Sequence, residues 1–384
     1  MSSPLALPAA SSGLMSWRPS SGNPDPKSPA AAVDLIRIAN AVDDTDALCR
    51  AVVAEATGRL SAFVTGIRAY RAHGYQRRPS ETSTIWASGS SHLLDYGGTG
   101  RPVLLVPSLI NRAYILDLRP GASFCAWLRD NDLRPLLLDW GDPGADEHPF
   151  DLEAYISARL APALAAAAAV AEAPVPVLGY CMGGLLALAG ALAAPEMVAS
   201  LALLATPWDF HADRAGQTGI LATVAALPHA PGTPPLPVDI IQTLFASLQP
   251  MLIEAKFRRF ALMDPESAEA EAFVALEDWL NDGVALAAPT ARDCLVGWYR
   301  DNDPAEGRWR VGGETVDPAR LACPAFIALP TRDRIVPPAS ASALAKAIPH
   351  VEVIEPRAGH IGMMVGRHAE GALWEPLGAW LNDV

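Results

Sequence analysis

Three residues have the types and the chain order that covalent acyl chemistry needs: Cys181, Asp333 and His360. Cys181 stands at the centre of Gly179-Tyr180-Cys181-Met182-Gly183-Gly184. An apolar, β-branched run at 175–178 precedes it, and an Ala/Leu-rich run at 185–194 follows, which predicts a strand, a sharp turn and a helix. Glycines flank the apex because so tight a turn brings the two backbones close together. A thiol there sits at a helix N-terminus, whose partial positive charge favours the nucleophilic, anionic form of sulfur. The hexapeptide alone leaves open a buried core cysteine in a glycine-rich turn. The rest of the chain argues otherwise, because a cysteine nucleophile needs a base and the base needs an orienting acid. The apolar run 324–329 leads into Pro330-Thr331-Arg332-Asp333-Arg334-Ile335-Val336-Pro337-Pro338, which puts Asp333 in a strand-end turn. A second run, 351–354, leads into Arg357-Ala358-Gly359-His360-Ile361-Gly362, which puts His360 in a glycine-flanked loop. All three residues close a strand at its C-terminal end, where open α/β sheets build their sites.

Such a triad also needs donors for the oxyanion that forms on the attacked carbonyl. The backbone N–H of Met182, next after the nucleophile, is one candidate. The second belongs to the loop after the first core strand, Pro107-Ser108-Leu109. Proline has no N–H, so Leu109 is favoured over Ser108 as donor. Ser108, Asn111 and Tyr114 are candidate pocket residues beside that loop. Asn111, Tyr114 and Asp117 read equally well as a buried polar network holding it. Asp139 and Trp140 end a strand and read as structural. Arg112 and Arg334 are either phosphate contacts or solvated charges. The choice of sulfur bears on the reaction. Serine attacking an acyl thioester gives an oxyester and discards most of the activation, whereas cysteine gives a second thioester that can still drive ester formation. The site therefore leans toward acyl transfer from thioester donors.

The elements that must position these groups alternate along the chain. Strands are expected at 103–106, 134–139, 175–178, 200–206, 324–329 and 351–354, and helices at 122–131, 152–172 and 185–194, which together describe a largely parallel sheet flanked by helices. Residues 44–75 have helical periodicity, with Leu48, Val52, Ala56, Leu60 and Val64 expected on one face. The core is expected to begin near Gly97. Between Pro207 and about Pro318 the alternation breaks down. A proline-rich stretch at 227–250 is followed by helical segments bearing Phe257, Phe260, Trp279, Trp298 and Tyr299. The expected organisation is a disordered tail (1–30), an N-terminal helical region (31–95), a core in two parts (96–206 and 319–384) and an inserted cap (207–318) between them.

The chain has 384 residues, 51% of them hydrophobic and 18% charged, and a formal net charge of −13. That balance is globular, and the negative charge with no basic run argues against a nucleic-acid partner. Five scattered cysteines form no metal-ligand spacing and read as reduced thiols of a cytoplasmic protein, with no metal or cofactor implied. No signal peptide is evident, and the apolar stretch 160–171 is too short to span a bilayer.

The strand–elbow–helix with its acid and histidine resembles the α/β-hydrolase fold, with sulfur in place of the serine hydroxyl. Over about residues 95–384 the chain resembles, more narrowly, the polyhydroxyalkanoate synthase family. The resemblance rests on Leu104-Leu105-Val106-Pro107-Ser108-Leu109-Ile110-Asn111-Arg112-Ala113-Tyr114-Ile115-Leu116-Asp117-Leu118-Arg119-Pro120, the box Gly179 to Gly184, and Thr206-Pro207-Trp208-Asp209-Phe210. Val311-Gly312-Gly313 with Val316-Asp317, Asp333-Arg334-Ile335-Val336-Pro337-Pro338 and Gly359-His360-Ile361-Gly362 complete it. Arg334 stands where that family usually has histidine. The short N-terminal region is most similar to the synthases that work with a second subunit. The resemblance implies polymerisation of (R)-3-hydroxyacyl-CoA, with the growing chain on Cys181, its thiol activated by His360, and the 3-hydroxyl of the incoming unit activated with the help of Asp333. It also implies a movable cap, a homodimer and work at the surface of polyester granules. A thioesterase or an intracellular polyester depolymerase would use the same triad.

Overall fold

The apolar runs of the chain pair into one eight-stranded sheet in a computed structural model that describes residues 44–212, 233–248 and 250–384. The expected tail at 1–30 and the start of the proline-rich stretch at 227–232 lie outside the described residues. The strands are β1 (Ser83–Ser88), β2 (Ser91–Asp95), β3 (Arg101–Val106), β4 (Leu133–Asp139), β5 (Val175–Tyr180), β6 (Val198–Leu204), β7 (Ala325–Ala328) and β8 (Val351–Ile354). Their order in the sheet is β1-β2-β4-β3-β5-β6-β7-β8. The pairs β1–β2 and β2–β4 are antiparallel, and every pair from β4 across to β8 is parallel. Helices cover the parallel strands, so β5 is buried at all six positions and β3 at its last four. That is why these strands read as continuous apolar runs and not as alternating ones.

The sheet begins at Ser83, not near Gly97, so β1 and β2 replace the end of the expected N-terminal helical region. These two strands are short, and β1 is a mostly solvated edge strand whose sequence, STIWAS, carries little apolar signal. The helix Leu152–Ala171 is long and apolar enough to cross a bilayer by length and composition, which the stretch 160–171 alone did not suggest. It is a core helix that buries Leu152, Tyr155, Ile156, Leu160, Ala163, Leu164 and Ala167. It also carries Arg159 into a buried ion pair with Glu147, 2.9 Å.

The chain divides into two compact units. The smaller holds residues up to Tyr75 with Pro250–Val274, and the larger holds the remainder, the sheet included. In the smaller unit, helix Thr45–Ala72 starts at Asp44, whose carboxylate accepts the Ala47 N–H (2.8 Å). This helix crosses Pro250–Phe260 at Gly66, where an added Cβ would lie 1.9 Å from the Phe257 carbonyl oxygen. Phe63 and Tyr70 meet the Phe257 ring edge-on, and Arg59 pairs with Glu254. The buried seam therefore follows 52, 59, 63, 66 and 70. The expected face at 48, 52, 56, 60 and 64 is not formed, and Leu60 is 61% exposed. Steps of four residues drift by about 40° each on a helix of 3.6 residues per turn, so a strict +4 series leaves the seam.

Candidate active site

β5 ends at Tyr180 and helix Met182–Ala193 starts at Met182, so Cys181 alone makes the turn. Its φ of 57° and ψ of −128° belong to a conformation that costs a non-glycine residue about 1–3 kcal/mol. Two backbone hydrogen bonds hold it there. Cys181 N–H donates to the Leu204 carbonyl at 2.8 Å, and Gly184 N–H donates to the Cys181 carbonyl at 3.0 Å. The glycines are demanded by close approach. A Cβ on Gly179 would lie 2.4 Å from Gly184 Cα, one on Gly184 would lie 1.9 Å from Thr206 Oγ1, and one on Gly183 would lie 2.1 Å from the Val106 oxygen. Gly183 also abuts the Pro107 carbonyl, which brings the 107–109 loop against the elbow.

Asp333 and His360 come together from the loops after β7 and β8. Thr331 N–H donates to the Pro356 carbonyl and Arg332 N–H to the Ala358 carbonyl, both at 2.9 Å, zipping the two loops. Asp333 Oδ1 accepts the N–H groups of Ile335 (2.8 Å) and Val336 (2.9 Å), which orients the carboxylate. Its Oδ2 lies 2.7 Å from His360 Nδ1. Both side chains are buried, and the charge of Cys181 acts on His360. Burial works against a charged imidazole here. The negative charges of Cys181 and Asp333, with their hydrogen bonds, outweigh it and raise His360 to about 10. Tyr180 backs the ring: it stacks on the imidazole at 5.2 Å, and its hydroxyl donates to the His360 carbonyl at 3.2 Å. Burial, and then the charges of Cys181 and Asp333, push the Tyr180 phenol well above its ordinary value, so it stays a donor. Asp333 and His360 are thus hydrogen-bonded to each other, with Tyr180, the chain neighbour of Cys181, stacked on the imidazole.

Met182 opens the elbow helix, where first-turn N–H groups have no intrahelical acceptor, and Leu109 is buried beside the elbow. The Ser108 hydroxyl accepts the Ile110 N–H at 3.1 Å, so this side chain braces its own loop. The other candidates of that region fasten the loop to residues 279–284. Asn111 bridges Gly283, Val284 N–H donates to the Ile110 carbonyl, and Trp279 Nε1–H donates to the Arg112 carbonyl at 2.8 Å. The Tyr114 hydroxyl donates to Asp282 at 3.0 Å. Arg112 lies between Asp142 (2.9 Å) and Asp282 (3.2 Å). Asp117 is buried and accepts from Ser80, Ser123, Tyr96 and Arg77, which is the polar-network alternative. Trp140 Nε1–H braces the same loop by donating to the Pro107 carbonyl at 3.0 Å, Asp139 accepts the Gly141 N–H, and Arg334 is exposed.

A small apolar pocket of about 40 Å³ lies beside this loop in the larger unit. Ile110, Leu236, Ile241, Leu244, Leu286, Cys294, Leu295 and Tyr299 line it. Ser108, Asn111 and Tyr114, the pocket candidates of the sequence, are not in that lining; the Ser108 hydroxyl bonds its own loop, the Tyr114 hydroxyl bonds Asp282, and the Asn111 backbone bridges Gly283. Tyr299 and Cys294 were not anticipated. They belong to the π-helical turn Asp293–Arg300, and no spacing in the chain marks it. All five cysteines are free thiols, and burial raises Cys125, Cys294 and Cys323.

The family model described as the alpha/beta hydrolase fold matches residues 136–367. A poly(3-hydroxyalkanoate) polymerase subunit PhaC from Haloferax mediterranei is 30% identical over 295 residues, covering 73% of this chain and 58% of that protein. The chain thus spans less than two thirds of that relative's length. The PhaC polymerase subunit of Thiocystis violacea is 27% identical over 293 residues, covering 73% of this chain and 81% of its own. Among solved structures, Rv0554 from Mycobacterium tuberculosis superposes with a TM-score of 0.50 at 20% identity, covering 76% of this chain and 94% of its own, a likeness of fold alone. With its sheet order, its elbow and that match, the chain belongs to the α/β hydrolase fold family, and the curated relatives it resembles within it are polyester polymerase subunits.

Proposed function

We propose that the chain is an acyltransferase that polymerises (R)-3-hydroxyacyl-CoA into polyhydroxyalkanoate through Cys181, His360 and Asp333. The observation that carries this reading is a cysteine at a strained strand–helix elbow, its neighbour Tyr180 stacked on a histidine whose Nδ1 is 2.7 Å from a buried carboxylate. The likeness to polymerase subunits over 73% of the chain supports the choice of substrate. His360 holds the proton of the Cys181–His360 pair as Cys181 Sγ attacks the thioester carbonyl. The N–H groups of Met182 and Leu109 hold the resulting oxyanion, the carbon–sulfur bond to CoA breaks, and CoA leaves as the thiol with the His360 proton. In the next half-reaction the 3-hydroxyl of a second unit gives its proton to His360 while its oxygen attacks the acyl-Cys181 carbonyl. A carbon–oxygen ester bond forms, the bond to Cys181 breaks, and the sulfur is restored. Asp333 keeps His360 in the tautomer that accepts these protons and stabilises the imidazolium.

Of the expected cap at 207–318, residues 275–318 of the larger unit keep water from the acyl-enzyme and so favour ester formation over hydrolysis. A homodimer, a second synthase subunit and the surface of a cytoplasmic polyester granule complete this reading. Incubation with (R)-3-hydroxybutyryl-CoA tests it. Free CoA with insoluble polyester is expected, whereas CoA with soluble 3-hydroxybutyrate alone makes the protein a thioesterase.

A further inference from the structure

Tyr299 stands out among the pocket residues. Six of the eight lining side chains are Ile or Leu, and Cys294 is the seventh, so the Tyr299 hydroxyl is the one strong hydrogen-bonding group on the wall. The ring is held from behind. Phe210 meets it edge-on at 4.9 Å and 68°, and Phe210 itself stacks on Trp298 at 5.7 Å. The Phe210 N–H donates to the buried Asn302 side chain at 2.8 Å, and Asn302 Nδ2–H donates to Asp209 at 2.9 Å. Trp298 is fixed in turn by Trp309, edge-on at 5.3 Å. A braced phenol in an apolar wall is a preorganised donor. The ring is also within electrostatic reach of Cys181 and Asp333, whose charges add to burial in raising its titration. Ile110, which completes the wall, directly follows the candidate oxyanion residue Leu109. The pocket therefore adjoins the loop that carries the candidate oxyanion donor, which Gly183 of the elbow abuts.

We propose that Tyr299 donates a hydrogen bond to the 3-oxygen of the acyl unit held on Cys181, while the alkyl substituent of that unit lies along Ile110, Leu286 and Leu295. The inference rests on the acyl-transfer reading and adds how the site distinguishes a hydroxylated acyl group from a plain one. A site built to bond a substrate hydroxyl disfavours the analogue that lacks it, because its own polar group is then left unpaired. A neutral hydrogen bond of about 1–1.5 kcal/mol corresponds to roughly a tenfold preference.

The test compares wild type and Tyr299→Phe in single-turnover release of CoA from 3-hydroxybutyryl-CoA and from butyryl-CoA. The expected result is a wild-type preference of about tenfold for the hydroxylated substrate, lost in Tyr299→Phe as the two rates converge. Retention of the preference in the variant, or an equal fall on both substrates, overturns the assignment. Should wild type release CoA from neither substrate, the acyl-transfer reading fails and this inference fails with it. Leu295→Trp is the second arm: it is expected to exclude 3-hydroxyhexanoyl-CoA while keeping 3-hydroxybutyryl-CoA. Unchanged discrimination by chain length would remove the pocket from the account.

Discussion

At His360 two anionic neighbours and burial pull the imidazole proton in opposite directions, and the neighbours prevail. The folded value of about 10 stands above the ordinary 6.5, so the ring contributes stability that is fully present below about 6.5 and is lost as pH rises toward 10. Thermal melts of wild type are therefore expected to fall across that window, and Asp333→Asn is expected to flatten the fall. An equally steep profile in the variant would remove Asp333 as the partner that holds the charge. Cys181→Ala is expected to abolish turnover with the fold intact; substantial residual CoA release would exclude Cys181 as nucleophile. Cysteine, acid and histidine were legible because each residue type is chemically marked and each follows an apolar strand. Tyr299 was not, because a tyrosine among large residues gains its place only when the 293–300 turn folds against Phe210 and Ile110. Tyr114 was placed beside the right loop, but its bond to Asp282, 168 residues away, decides what its hydroxyl faces, and sequence does not reveal that partner.

Among the elements, the elbow depends on missing side chains more than on present ones. Gly183→Ala would drive a methyl group into the carbonyl oxygens of Val106 and Pro107, both backbone atoms that cannot rotate away. The expected cost is about 1–3 kcal/mol of stability, with a larger loss of acylation because the Leu109 loop must shift. Denaturant melts paired with CoA-release rates check this; a variant with wild-type acylation would detach the 107–109 loop from catalysis. The central strands were legible since burial on both faces leaves β3 apolar from Val103 onward, β5 without a charged residue and β6 apolar apart from Ser200. The edge strands β1 and β2 were not, because a strand with one solvated side and few residues gives a pattern that loops share. Helix Thr45–Ala72 shows the same limit: periodicity announced the helix, while Gly66 and the Phe257 carbonyl chose its buried face.

Across the whole molecule, a few carboxylates tie distant parts of the chain to arginines. Glu147 accepts from Ser90, Gly144 and Arg159, Asp95 pairs with Arg134, and Glu254 with Arg59 and Arg258. Burial opposes ionisation of Glu147 and Asp95, yet their hydrogen bonds keep both carboxyls below the usual range; for Glu254 the bond to Arg59 is the main cause. Depressed values give stability that is present above the unfolded carboxylate range, near 4, and lost as pH falls below it. Acid unfolding is expected to follow. Glu147→Gln would leave Arg159 as a buried, unpaired charge in the core helix, at a cost of about 3–5 kcal/mol in chemical denaturation. A change below 1 kcal/mol would mean that the pair is solvated. The alternation of strands and helices made the sheet and the strand ends that carry the candidate site legible at this scale, while the division at Tyr75 and Pro250–Val274 was not, since contacts between segments far apart in the chain define it. The most direct test of the central claim is the mass of the Cys181 peptide after brief turnover with (R)-3-hydroxybutyryl-CoA. A ladder of hydroxyacyl units on Cys181, built as CoA is released, is the predicted result. CoA release with Cys181 unmodified, or at the same rate in Cys181→Ala, would contradict it.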